Sequence, residues 1–166
     1  MKRSSVQTPI VAPIDALPPL GDVLDFMRLI WELAHRLQRA SKRMESTLGV
    51  TGPQRLVIRI VGRFPGIPTG HLARLLHVHP STLTGIVKRL ERRGLLRRRQ
   101  DARDGRRWLL GLTEMGRLLD VEREGTVEAA VKDALDRTAP AKLAATREVL
   151  ASLARALERL EEQRQP

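Results

Sequence analysis

The chain has 166 residues, enough for one domain with a substantial core, and it carries a formal net charge of +11. It contains no cysteine, which excludes disulfides, thiolate metal sites and thiol-based peroxide sensing. The charge points to a polyanionic partner, and no apolar run approaches the ~18 residues that a membrane-spanning helix needs.

Residues 1–21 hold Pro9, Pro13, Pro18 and Pro19 with little periodicity. They read as a flexible or extended arm, either packed on a partner subunit or without function, and Lys2 and Arg3 could add weak phosphate contacts. Asp15 and the prolines interrupt what would be the apolar core of a signal peptide, so the protein is expected to stay in the cytoplasm.

From Asp22 to about Leu48 the pattern is a long helix with two apolar stripes. Phe26, Ile30, Leu33, Leu37, Ala40, Met44 and Leu48 form one; Leu20, Leu24, Met27, Trp31 and Ala34 form the other. Two apolar faces call for burial from two sides, one by the chain's own next domain and one by a partner subunit. Thr51-Gly-Pro-Gln54 is a capping box, and the helix it opens should bury Leu56, Val57, Ile60 and Val61 and stop near Gly62. Phe64-Pro-Gly-Ile-Pro68 is a turn-rich connector.

A short helix is expected over about Gly70 to Leu76, with Thr69 as its N-cap and Leu72, Ala73, Leu75 and Leu76 buried. After a tight turn at His77, Val78 and His79, Pro80 falls at the first position of another helix, where its missing N–H costs nothing. Leu83, Ile86, Val87 and Leu90 form that helix's apolar stripe, and Gly94 ends it as a C′ residue. Hydroxyls (Ser81, Thr82, Thr84) precede cations (Lys88, Arg89, Arg92) on the opposite face, the loading expected of a recognition helix in a major groove.

From Leu95 the period becomes that of strands, with Trp108, Leu110 and Leu112 alternating on one face. Asp104-Gly105 predicts a two-residue hairpin turn in which the glycine takes a positive φ. The tip then presents Arg103, Arg106 and Arg107, with Asp101 and Asp104 placed to orient them, and suits a narrow minor groove. Between Lys88 and Arg107 ten cations face three acids, so most of the chain's excess charge straddles the recognition helix and the hairpin.

The chain resembles the MarR-type transcriptional regulators over roughly Asp22 to Glu162. The likeness is carried by Pro80-Ser-Thr-Leu-Thr84, Arg89-Leu-Glu-Arg-Arg-Gly94, Asp101-Ala-Arg-Asp-Gly-Arg-Arg107 and Leu112-Thr-Glu-Met-Gly116. It implies a homodimeric, ligand-responsive repressor or activator on pseudo-palindromic DNA. Gly85 and Lys88 stand where the family often has an Arg and an Asp, and His79 replaces a small polar N-cap, so no base preference is carried over. In proteins of this kind an effector lies between the winged domain and the dimerisation helices. Trp31, His35, Arg59 and Phe64 are the candidates to line such a pocket, and the scarcity of aromatics favours an aliphatic or anionic ligand.

After the hairpin, Thr113 should cap a helix running to about Arg137, weakened at Gly116 and Gly125. Thr138-Ala-Pro-Ala141 starts a last helix, with Leu143, Leu150, Leu153, Leu157 and Leu160 at near-heptad spacing. The first and last helices have more apolar surface than one small domain covers, which argues for a homodimer over a monomeric bundle.

No nucleophile–base pairing or Gly-rich phosphate loop occurs, so an enzyme is not expected. His71, His77 and His79 lie close together but without cysteines or clustered acids, so neither a metal nor a cofactor is expected. The fold class expected is mainly α with a small β-hairpin wing, a winged helix-turn-helix with N- and C-terminal dimerisation helices. Its segments are an arm (1–21), a dimerisation helix (22–50), the DNA-binding region (51–112) and C-terminal dimerisation helices (113–166). The function expected is sequence-specific binding of double-stranded DNA, by a homodimer responding to a small-molecule effector, with no membrane partner. The rival is a nucleoid-type architectural protein that coats DNA through charge alone.

Overall fold

The computed structural model describes residues 19–162, so nearly all of the expected arm lies outside the described residues. The order is α1 (Asp22–Leu48), α2 (Gly52–Arg63), α3 (Thr69–Leu75), α4 (Pro80–Arg92), β1 (Leu96–Gln100), β2 (Trp108–Leu112), α5 (Glu114–Leu119), α6 (Val127–Asp136) and α7 (Pro140–Glu162). The described residues are mostly helical with one antiparallel hairpin, the winged-helix arrangement expected. It divides within α1 into two units, one ending at Arg36 and one beginning at Leu37.

In the first unit α1 starts at Asp22, just after Gly21, whose carbonyl accepts from Asp25 N at 3.0 Å. Asp22 and Asp25 in the first turn complement the helix dipole. Val23, Leu24, Phe26, Met27, Trp31 and Leu33 are exposed. Of the two stripes expected to be buried, only Met44, in the second unit, is fully buried within the single chain.

The second unit is built around Val57, Ile58, Val61, Leu72, Leu83, Val87, Leu90, Leu96 and Leu110. The capping box at Thr51 forms as expected: its hydroxyl accepts from Gln54 N (3.4 Å) and Gln54 Oε1 accepts from Thr51 N (3.1 Å). The buried face of α2 is rotated from the one expected. Leu56 is exposed, whereas Ile58 and Arg55 are buried, because the helix packs against both the HTH core and the segment after α5. The helix also runs one residue past Gly62, to Arg63.

Thr69 is not the N-cap of α3. Pro68 holds that position without a side-chain bond, and the Thr69 hydroxyl instead donates to the Trp108 carbonyl at 3.1 Å. Leu72 and Ala73 are buried as expected, but Leu75 is exposed. The turn closes by two backbone bonds, His77 N to Arg74 O and Val78 N to Ala73 O (each 3.1 Å), with His77 at φ +50°. Histidine tolerates that left-handed conformation better than most side chains, so His77 serves the turn.

Pro80 opens α4, and Leu83, Val87 and Leu90 are buried with Ile86 half-buried. Gly94 (φ +67°) completes the C-cap: its N–H reaches Glu91 O (2.8 Å) and Leu95 N–H reaches Leu90 O (2.9 Å). The chain thereby enters β1, which pairs with β2 in the register Leu96–Leu112, Arg98–Leu110 and Gln100–Trp108. Leu110 and Leu112 are buried, but Trp108 at the end of the same face is exposed.

The loop differs from the two-residue turn expected. Residues 101–107 form it, closed by Asp101 N to Arg107 O and Arg107 N to Asp104 O (each 2.9 Å), and Gly105 does not adopt a positive φ. Aspartate carboxylates supply the turn chemistry instead: Asp101 accepts from Arg103 N (3.0 Å) and Asp104 from Arg106 N (3.1 Å).

The single helix expected from Thr113 to about Arg137 is two helices. Thr113 does cap α5, accepting from Gly116 N at 3.0 Å, but α5 ends at Leu119. The Leu119, Asp120 and Val121 carbonyls accept from Arg55 and Arg59 at 2.6–2.8 Å. Thr126 caps α6, accepting from Ala129 N at 3.3 Å. Two arginines of α2 thus complete the hydrogen bonding where the helix breaks.

Candidate nucleic-acid interface

The outward face of α4 is set by its core stripe. Opposite Leu83, Val87 and Leu90 stand Ser81, Gly85, Lys88 and Arg92, flanked by Thr82, Thr84 and Arg89. Ser81, Thr82, Lys88 and Arg89 are exposed, and Thr84 is half-buried with its hydroxyl donating to Pro80 O at 2.8 Å. A Cβ built on Gly85 would meet nothing within 4 Å, so the middle of this face is open. No acid stands in the first turn. His79 caps the helix, its Nδ1 accepting from Ser81 N at 3.3 Å and lying 2.7 Å from Ser81 Oγ.

The wing tip is ordered by its two aspartates, and its three arginines are exposed. Arg107 pairs with Asp104 at 3.3 Å, whereas Arg103 and Arg106 have no side-chain partner among the described residues. Arg98 lies differently: its Nε donates to Glu91 Oε1 at 2.8 Å and its guanidinium carbon is 5.5 Å from the Trp108 ring centroid. The basic run is therefore not uniform, because some of its cations are held by the fold.

The four residues expected to line a ligand pocket fall in different surroundings. Trp31 and His35 are exposed on α1 in the first unit. In the second unit, Arg59 Nη1 donates to the Asp120 carbonyl (2.6 Å) and carboxylate (2.7 Å). Phe64 borders an open concavity of about 640 Å³ with Arg63, Ile67, His71 and Leu75. Sequence reasoning missed Arg55, which is 1% exposed and bound to Leu119 O, Val121 O and the Glu128 carboxylate. No local signal announces it, since its acceptors lie 64 to 73 residues away. Among the described residues no cluster of three or more His, Asp or Glu could hold a metal ion.

Comparison with known proteins decides what this geometry belongs to. Residues 48–107 match the model of the MarR family. An HTH-type transcriptional repressor from Mycobacterium bovis is 34% identical over 96 residues, covering 57% of this chain and 69% of that protein. The chain belongs to the MarR family. This MarR-family protein is accordingly a DNA-binding transcriptional regulator and not an enzyme. Its fold matches that of the PcaV regulator from Streptomyces coelicolor, solved with its natural ligand (30% identity, TM-score 0.59, 75% of this chain and 91% of that one). It also matches FabT from Streptococcus pneumoniae, solved with DNA (21% identity, TM-score 0.63, 84% and 99%), a likeness of fold alone.

Proposed function

We propose that this MarR-family regulator is a homodimeric, ligand-responsive repressor that binds a pseudo-palindromic operator. The observation that carries the reading is the pairing of two exposed elements: an acid-free first turn of α4 and a preformed basic wing tip. Ser81, Thr82, Thr84, Lys88 and Arg89 enter the major groove, where the open space at Gly85 admits a base-pair edge. Arg103 and Arg106 enter the flanking minor groove, and Arg107 meets the backbone beside them. Half-sites lie about one helical turn, ~10 bp, apart.

The segment roles follow the same reading. Residues 51–112 bind DNA, and residues 22–50 and 113–166 pair two copies. Support for pairing comes from exposed apolar side chains on α1 (Phe26, Met27, Trp31) and on α6 and α7 (Val131, Leu150, Leu157). Arg59 and Phe64 are proposed as effector contacts within the second unit, and Trp31 and His35 as effector contacts within the first. The ligand bound to PcaV supports the existence of an effector. An effector releases DNA by binding better to a dimer whose recognition helices are wrongly spaced. The working place is the cytoplasm; among the described residues no helix is long and apolar enough to cross a membrane.

The wing assignment has a direct test. Replacing Arg103 with Ala should weaken binding to a selected operator on the order of tenfold, with a shallower salt dependence, as one groove cation is lost. Titrations at several salt concentrations measure both. Unchanged affinity and slope would overturn the role given to the wing.

A further inference from the structure

Arg98 sits inside the run Arg97-Arg98-Arg99, and charge alone would assign it to the DNA backbone with its neighbours. Its surroundings point elsewhere. The pair it forms with Glu91 is 33% and 22% exposed, more enclosed than the Arg107–Asp104 pair at 56% and 44%. Its guanidinium also lies over Trp108, a geometry that suits a planar cation on an aromatic face. The register explains the meeting: Arg98 faces Leu110 and Gln100 faces Trp108, so Arg98 and Trp108 are diagonal neighbours.

Glu91 is the only acid in α4. A carboxylate on a helix that approaches phosphates opposes binding, unless it does something else. Trp108 supplies a second tie, because its carbonyl accepts from Thr69 at the start of α3. The last paired rung before the 101–107 loop is therefore fastened to both helices of the helix-turn-helix. The hairpin root is buried at Leu96, Leu110 and Leu112, while Arg103 and Arg106 lie beyond the last rung. A small rotation at the root would displace that tip.

We propose that Arg98 is a positioning residue and not a phosphate contact: held by Glu91 and stacked on Trp108, it fixes the angle between wing and recognition helix. That angle sets how a major-groove contact and a minor-groove contact are made together. The inference rests on the sequence-specific reading given above.

Two measurements test it, one without DNA. In a Trp31→Phe background Trp108 is the only tryptophan, and acrylamide quenching of its fluorescence should increase in both Glu91→Gln and Arg98→Lys. In the second measurement, Glu91→Gln should lower affinity for a selected operator about tenfold while affinity for random duplex does not fall, although a negative charge has been removed. Arg98→Lys should behave alike despite keeping its charge, and combining the two should cost no more than either alone. Tighter or unchanged operator binding by Glu91→Gln, full retention by Arg98→Lys, additive losses, or unaltered quenching would each overturn the inference. Unmodified protein that does not prefer a selected duplex over random DNA would overturn the sequence-specific reading itself, whereas the quenching result bears on the wing alone.

Discussion

Replacing Arg55 with Ala should destabilise the protein by about 3–5 kcal/mol, the range for removing one partner of a buried ion pair. The side chain is 1% exposed, and each of its three nitrogens donates: Nη1 to Leu119 O (2.8 Å), Nη2 to Val121 O (2.7 Å) and Nε to Glu128. Alanine would leave those two carbonyls and a half-buried carboxylate without their donor, at the place where α5 stops. Arg59 would remain as an α2 tie to this segment, through Asp120 and, at 4.0 Å, the Glu128 carboxylate. Lysine keeps the charge but cannot span three acceptors with one ammonium, so Arg55→Lys should fall between the two. Denaturant-unfolding midpoints with unchanged slope measure the effect. A loss below about 1 kcal/mol for Arg55→Ala, a level typical of exposed pairs, would contradict the role given to the buried guanidinium.

The second large effect concerns Gly116, whose substitution by Ala should also destabilise. Intrinsic helix propensity alone argues the other way, by about 1 kcal/mol in favour of alanine. The contact decides: a Cβ at position 116 would lie 2.0 Å from the Leu95 carbonyl oxygen, and backbone cannot swing aside. Helix α5 would have to lift from the hairpin root. That would disturb the Thr113 hydroxyl, which donates to Gly94 O at 2.5 Å and accepts from Gly116 N. A net loss of about 2–3 kcal/mol is expected, comparable with overpacking a tight core. Gly85 is the matched contrast, since its Cβ would meet nothing within 4 Å and Ala there should gain up to about 1 kcal/mol. Melting curves of both variants measure the pair, and stabilisation by Ala at both positions would show that propensity and not contact governs position 116.

Much of this architecture is legible in the chain because the signals are local. The Thr51 capping box, Pro80 at a helix start, the Leu83–Leu90 stripe and Gly94 at a helix end each depend on neighbours within about seven residues, and each appears as the pattern predicts. The misses share the opposite property. Thr69 reads as an N-cap until β2, 39 residues away, offers its hydroxyl the Trp108 carbonyl. Leu56 reads as core, and nothing marks Arg55 for burial, until the chain returns between Leu119 and Glu128. The helix from Thr113 reads as continuous because nothing local reveals that α2 completes the hydrogen bonds of its break. Asp104-Gly105 reads as a two-residue turn, yet the aspartates at 101 and 104 favour a wider loop bonded to their own backbone. At the interface, exposure of Lys88, Arg89, Arg103 and Arg106 follows from pattern, whereas the tethering of Arg98 depends on strand register and a helix seven residues back.

The most direct measurement is equilibrium binding of the full-length protein to a duplex selected from random sequence, against random duplex, at two salt concentrations with the mass of the complex determined. An inverted-repeat consensus bound by two copies is expected, at least ~10³-fold tighter than random DNA and persisting at physiological salt. No consensus, equal affinity for both duplexes and a steep collapse with salt would contradict it, and would leave an architectural protein held on DNA by charge alone.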